Sequence, residues 1–162
     1  MAEATALGFG ARGRTAPNPN VGCVIVNHGE VVGRGATAPG GRPHGEAVAL
    51  KEAGGKARGA TLYTTLEPCA HPSERGPTCA PLIADAGIAQ LVAAIEDPDP
   101  RTSGLGFKIL RKAGIKVKKG IGADAARTSM AGFLTRLALG RPRITLKLAL
   151  SIDGKIALPS GE

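Results

Sequence analysis

Three short stretches hold the residue types that bind metals and move protons: His44-Gly45-Glu46, Glu67-Pro68-Cys69, and Cys79. One imidazole and two thiolates make a good donor set for Zn²⁺, and they are three ligands, not four. Structural zinc sites close the tetrahedron with protein, whereas catalytic ones leave the fourth position to water. Two thiolates cancel the charge of the ion. A water held there needs a base for its proton, and Glu46, two positions after His44, is the natural candidate. Residues i and i+2 do not share a helix face. The pair therefore converges only if both stand at a helix start, where side chains reach past the first turn. Taken singly these residues say little: a lone His is more often a surface or satisfied core residue, and a lone Cys a small buried hydrophobe. Their combination and placement carry the reading.

The placement follows from the elements around them. Met1–Arg12 reads as a short helix. Gly13–Asn20 is irregular, since Pro17 and Pro19 restrict their own φ and the residues before them. Val21–Val26 and Val31–Ala36 are β-branched strands joined by the turn residues Asn27-His28-Gly29-Glu30, a hairpin. Pro43 suits a helix start, His44–Ala53 carries Ala47, Leu50 and Ala53 on one face, and Gly54-Gly55 stops it. Ala60–Thr65 is a third strand, Glu67–Thr78 a Pro-rich loop, and Cys79–Ala86 a helix. Gln90–Ile95 is a fourth strand, Leu105–Ala113 a helix, Ile115–Val117 a short strand, and Asp124–Leu139 one longer helix. Ile144–Leu150 begins a further strand. The order predicts a layered α/β domain whose later strands pair in parallel. It sets His44 and Cys79 at helix starts and Cys69 just after a strand, where ligands gather in such sheets. A helix start also favours thiolate at Cys79.

Composition narrows the function further. The 162 residues are 43% hydrophobic and 21% charged, a globular balance large enough for one sizeable core. Net charge is +8, yet residues 1–99 carry 8 Lys/Arg against 10 Asp/Glu and residues 100–162 carry 13 against 3. The basic excess is thus confined to the C-terminal part, where it reads first as a solvated face and second as a surface for an anionic ligand or partner domain, and the site-bearing part is slightly acidic. With one Tyr, three Phe and no Trp, stacking platforms for single-stranded nucleic acid are lacking. No apolar run reaches a membrane span. Met1–Gly10 lacks the basic and apolar regions of a signal peptide, and three cysteines are too few for a secreted disulfide scaffold, so a cytoplasmic protein with free or metal-bound thiols is expected. Cys23 sits in an apolar strand and reads as core, and His28 reads as a solvated turn residue. Glu67 shapes or caps its loop, and Lys116–Lys119 is a solvated strand end.

His-x-Glu followed by Pro-Cys and a further Cys is the signature of zinc nucleobase deaminases, with one departure: nine residues, not two, separate Cys69 from Cys79. That spacing points to one branch. Pro17-Asn18-Pro19-Asn20-Val21-Gly22, Pro43-His44-Gly45-Glu46, Gly59-Ala60-Thr61-Leu62-Tyr63, Thr65-Leu66-Glu67-Pro68-Cys69-Ala70-His71 and Asp97-Pro98-Asp99-Pro100 closely resemble the deaminase half of the bifunctional riboflavin-biosynthesis deaminase/reductases. Leu146–Ala157 looks like the opening strand of their reductase half. The resemblance implies a cytidine-deaminase-like fold, a three-layer α/β/α sandwich with a central mixed sheet. It divides the chain into a zinc deaminase domain, 1–140, and the opening strand of a truncated reductase domain, 141–162. It implies a Zn²⁺-dependent hydrolase that deaminates a diaminopyrimidinone carrying a ribosylamino 5′-phosphate, a small phosphorylated pyrimidine, with no nucleic acid or membrane partner. By position, His44, Cys69 and Cys79 become the metal ligands and Glu46 the proton shuttle. Asn18 falls where the family contacts the pyrimidine, and His71 where it holds the phosphate end. Arg75 stands nearest the family's basic phosphate ligand. Asp99 replaces the usual Asn as a substrate contact, and Gly45 stands where Ala is usual. A homo-oligomer fits the resemblance and the unpaired Ile144–Leu150 strand. Two alternatives share the residues: a deaminase of the same fold acting on tRNA adenosine, cytidine or guanine, and a structural zinc module with His71 as fourth ligand.

Overall fold

In the computed structural model, which describes residues 1–157, 160 and 161, five strands form one mixed sheet with the spatial order β2-β1-β3-β4-β5. The elements in chain order are α1 (Ala2–Gly10), β1 (Gly22–Asn27), β2 (Glu30–Ala36), α2 (Gly45–Ala53), β3 (Thr61–Leu66), α3 (Cys79–Asp85), β4 (Gln90–Ile95), α4 (Leu105–Lys112), β5 (Lys116–Lys119), α5 (Ala123–Ser129) and α6 (Ala131–Leu139). β1 and β2 are the expected antiparallel hairpin, closed at His28 and Gly29, both at positive φ. β1 also pairs antiparallel with β3, while β3–β4 and β4–β5 are parallel. The antiparallel join brings the ends of β1 and β3 to the site from opposite chain directions.

The sheet is buried on both faces, which its near-continuous apolar strands require. On one side Cys23, Ile25, Leu62, Leu91 and Ala93 pack against Ala49 and Leu50 of α2, Ala80 and Ile83 of α3, and Phe107 and Leu110 of α4. A second cluster joins Val21, Leu66, Ala94 and Ile95 with Ala126 of α5 and with Met130. This is the three-layer α/β/α sandwich. Each fully buried Leu, Ile or Phe contributes roughly 1.5–3 kcal/mol by leaving water. Helix α2 lies unusually close to β2 because β2 offers glycine where it crosses. A Cβ on Gly35 would stand 2.1 Å from the Gly45 carbonyl oxygen.

Two expectations fail. The helix over Asp124–Leu139 is broken at Met130 (φ −100°, ψ 17°) into α5 and α6. Asn20 Nδ2 donates to the Ser129 hydroxyl at 2.9 Å and to its carbonyl at 3.3 Å, competing for an acceptor of the helix ladder. Met130 itself is buried in the second core, so the chain turns there and α6 leaves at a new angle. Ile144–Leu150 forms no ladder and stays exposed. An alternating apolar segment becomes a strand only against a partner edge, and among the described residues none lies beside it.

Candidate metal and active site

Pro43 and the extended backbone of His44 (φ −72°, ψ 158°) place the imidazole at the N-cap of α2, with Glu46 at the second helical residue. This is the helix-start geometry that lets i and i+2 converge. Cys69 lies in the loop after β3, and Cys79 opens α3. The Cys79 N–H donates to Cys69 Sγ at 3.2 Å, and the Ala80 N–H to the Cys69 carbonyl at 3.1 Å, so the start of α3 is tied onto that loop. His44 Nδ1 stands 3.6 Å from Cys69 Sγ and 3.4 Å from Cys79 Sγ, and the three donor atoms lie within 4.8 Å of one another. Tetrahedral Zn²⁺ with its usual bond lengths separates sulfur from nitrogen by about 3.6 Å. One imidazole and two thiolates so spaced fit that ion. Among the described residues this donor group has three members, and His71 is not one of them.

The electrostatics of the group are those of a buried, proton-sharing cluster. Hydrogen bonding with the Cys79 side chain, the His44 ring and the Cys79 N–H holds the Cys69 thiol down to about 4 despite burial. Cys79 is pushed up, first because it donates to Cys69, then by burial and by the neighbouring Glu46 charge. Glu46 is 3% exposed, with Oε2 3.7 Å from Cys79 Sγ. Burial pushes its carboxyl up to about 7, opposed by His44 and reinforced by Cys69. A carboxyl in that range both takes and returns a proton near neutrality.

Glu67, two residues before Cys69, is buried at 2% exposure and shapes the neighbouring loops as expected. Its Oε2 accepts the Asp97 N–H at 3.2 Å and the Gly104 N–H at 3.0 Å, and its Oε1 accepts the Phe107 N–H at 3.1 Å. One carboxylate thus caps α4 and ties the Cys69 loop to the segment 97–104. Asp97, in that segment, has its carboxyl raised to about 6, chiefly by burial.

His44, Glu46, Glu67, Cys69 and Asp97 line a cavity of about 360 Å³, within the range of small-molecule sites. The structure brings all four expected substrate-contact residues to its lining. Asn18 is half-buried, its Nδ2 donating to the Gly41 carbonyl at 2.8 Å and standing 3.0 Å from His44 Nε2. His71 Nδ1 meets the Thr102 hydroxyl at 3.1 Å. Arg75 donates to the Gly40 carbonyl. Asp99 is gripped by the Arg101 guanidinium at 3.0 and 3.1 Å, which with the Arg101 backbone N–H holds its carboxyl down to about 2.

Sequence reasoning missed three further guanidiniums on this wall, those of Arg42, Arg101 and Arg136. Arg42 directly precedes Pro43-His44 and Arg101 directly follows the Asp-Pro-Asp-Pro run, so both stood beside motifs already singled out. Arg136 had no local signal. It comes from α6 and donates to the Pro17 carbonyl at 3.0 Å, 119 residues away, while Phe133 and Leu137 of the same helix supply an apolar wall.

Comparison with known proteins agrees with this geometry. Residues 1–95 match the family model described as the cytidine and deoxycytidylate deaminase zinc-binding region. The riboflavin biosynthesis protein RibD of Escherichia coli (strain K12) is 50% identical over 162 residues, covering 100% of this chain and 44% of its own length. RibD of Acinetobacter baumannii, form 2, superposes with a TM-score of 0.88 at 45% identity, over 100% of this chain and 46% of that one. A diaminohydroxyphosphoribosylaminopyrimidine deaminase/5-amino-6-(5-phosphoribosylamino)uracil reductase of Thermotoga maritima gives a TM-score of 0.91 at 38% identity, over 100% and 47%. The chain therefore spans somewhat under half the length of these relatives. Among the described residues no helix is long and apolar enough to cross a membrane. With a zinc-binding model matched across more than half of its length and the same layered fold in its solved relatives, this chain belongs to the cytidine and deoxycytidylate deaminase zinc-binding family.

Proposed function

We propose that this chain hydrolytically deaminates a diaminopyrimidinone bearing a ribosylamino 5′-phosphate. The observation that carries the reading is His44 Nδ1 facing two cysteine sulfurs at 3.4 and 3.6 Å with the buried Glu46 carboxyl beside them. His44, Cys69 and Cys79 would hold a Zn²⁺ ion, which would supply Lewis-acid activation of water. Glu46 accepts the proton of that water at Oε1 or Oε2 as oxygen bonds to the amino-bearing ring carbon. Glu46 passes that proton to the adjacent ring nitrogen, then takes the proton of the new C–OH group and delivers it to the amine as the C–N bond breaks, so that water and the C–NH₂ group become C=O, a ring N–H and ammonia. Burial suits Glu46 to both tasks, because its raised pKa lets it exist in either form near neutral pH.

The rim supports a phosphorylated substrate. Arg42, Arg75, Arg101 and Arg136, with His71, offer fork-shaped donors where the ribosyl phosphate leaves the cavity. Asn18 and Asp99 line the same cavity and in this reading face the pyrimidine. The same reading assigns residues 1–140 to the deaminase domain and takes 141–162 as the opening of a second unit. It is supported by the exposure of Ile144, Leu146, Leu148 and Leu150 beyond the last core helix. The test is ammonia release from a panel comprising the diaminopyrimidinone ribosylamino 5′-phosphate, its dephosphorylated form, cytidine, guanine and tRNA. The phosphorylated pyrimidine should be deaminated with the highest kcat/KM. Turnover of tRNA, cytidine or guanine alone would overturn the assignment.

A further inference from the structure

We propose that the chain carries a second anion site, for a phosphate group, in a cavity bordering the catalytic one, and that Arg136 couples the two. This second cavity, of about 480 Å³, shares Pro17 and Arg136 with the cavity that holds the metal-ligand residues. Its own wall includes Arg12 just after α1, Ser129 at the end of α5 and Arg143 after α6. None of the residues lining it is Asp or Glu. Arg12, Arg136 and Arg143 take part in none of the ion pairs among the described residues. Three guanidiniums on one concavity without a counter-charge raise its positive potential, and their planar, forked donors match the oxygens of a phosphate. Part of the basic excess of residues 100–162 thereby gains a location, in Arg136 and Arg143.

A buried hydroxyl adds a neutral donor to the charged ones. Ser129 is 4% exposed, and its Oγ accepts the Asn20 Nδ2–H at 2.9 Å. Among the described residues its own O–H meets no acceptor, whereas buried hydroxyls ordinarily find one. A phosphate oxygen in this cavity supplies it. Asn20, itself buried, fixes the hydroxyl by donating also to the Gly8 carbonyl at 2.9 Å. Arg12 and Arg136 lie over the Phe9 and Phe133 rings, 5.7 and 5.9 Å from the centroids, which limits the freedom that binding must freeze. Arg136 donates to the Pro17 carbonyl at 3.0 Å, and Pro17 adjoins Asn18 in the catalytic cavity. An anion that draws the Arg136 guanidinium away weakens that bond and loosens the loop, so occupancy of the second site lowers the grip on the pyrimidine. The coupling, but not the binding, rests on the deaminase reading.

The test is titration of the ¹⁵N-labelled full chain with inorganic phosphate at constant ionic strength, with chloride making up the balance. The readout is the NMR shift of the Gly13, Thr15 and Gly132 amides, which belong to residues of the second cavity alone. These should shift saturably with phosphate and not with chloride. The double variant Arg12→Ala/Arg143→Ala changes no residue of the catalytic cavity and should bind phosphate at these amides about tenfold or more weakly. Arg75→Ala, which changes the catalytic cavity alone, should bind within about twofold of wild type. The binding claim is overturned if these amides fail to saturate, if phosphate shifts only amides of the catalytic rim such as that of Arg75, or if the double variant binds as wild type does. Should the double variant fail to fold, Arg143→Ala in its exposed segment decides, with weakening of about fivefold expected and unchanged affinity refuting the site. Turnover of the dephosphorylated pyrimidine reads the coupling: phosphate should raise its KM about fivefold in wild type and leave it unchanged in the double variant. No rise in wild type, or an equal rise in both, refutes coupling through Arg136. Absence of any turnover by wild type would instead refute the deaminase reading, and the coupling with it, while the amide shifts still decide the site.

Discussion

Replacing Glu67 with Gln changes one oxygen to an NH₂ group and should cost far more than its size suggests. The carboxylate is 2% exposed and its visible partners are three backbone N–H donors, at Asp97, Gly104 and Phe107. A glutamine can turn its oxygen to Phe107 or to the Asp97/Gly104 pair, but in either pose its NH₂ faces a donor. One or two buried N–H groups are then stranded, each at about 1–3 kcal/mol, and the charge assistance of the surviving bonds is lost. The sum is about 2–5 kcal/mol, a large share of the total of roughly 5–15 kcal/mol that holds a domain folded. Guanidinium unfolding followed by circular dichroism measures it directly, with Glu74→Gln as the exposed control expected within about 0.5 kcal/mol of wild type. A Glu67→Gln change below about 1 kcal/mol would refute the argument that this carboxylate is the strut between the Cys69 loop and α4.

Other consequences are equally direct. Gly35→Ala puts a methyl 2.1 Å from the Gly45 carbonyl oxygen and 2.6 Å from the Ala49 nitrogen, both backbone. It should destabilise by about 1–3 kcal/mol or more in thermal unfolding, whereas Gly10→Ala, which meets nothing within 4 Å, should be neutral or stabilising. Asp97 has its folded pKa raised from 3.8 to about 6, so the stability it contributes is complete below pH 3.8 and is lost as pH rises to about 6. The unfolding free energy of wild type relative to Asp97→Asn should therefore fall across that window, and a flat or rising difference would contradict the burial argument. Arg75→Ala should raise KM for the phosphorylated pyrimidine much more than for its dephosphorylated form, with kcat little changed. An equal rise for both would remove Arg75 from phosphate binding.

Much of this was legible in the sequence because the informative signals are local. Pro43 before His44, the Gly54-Gly55 stop and the proline-rich loop 67–78 each fix a nearby backbone, and together they placed three donors at strand and helix ends. The helix break at Met130 was not legible. Its cause is Asn20, 109 residues away in the chain, bonding to Ser129, and the apolar positions run on through it unbroken. Arg136 was missed for the same reason, since only the tertiary fold brings it over Pro17. Ile144–Leu150 shows the converse limit: alternation signals a strand, but the ladder depends on an edge that this segment lacks among the described residues. Asn18 was a candidate only through the resemblance, and its approach to the His44 imidazole was not legible, since nothing in Pro-Asn-Pro-Asn says the amide meets an imidazole.

The central claim is that three ligand side chains hold a zinc ion while Glu46 moves the protons. It is tested most directly by measuring zinc content and ammonia release on the same preparations of wild type and Glu46→Gln. Both proteins should carry about one zinc per chain, and wild type alone should release ammonia from the phosphorylated diaminopyrimidinone. Near-normal deamination by Glu46→Gln, or no bound zinc in wild type, would contradict it.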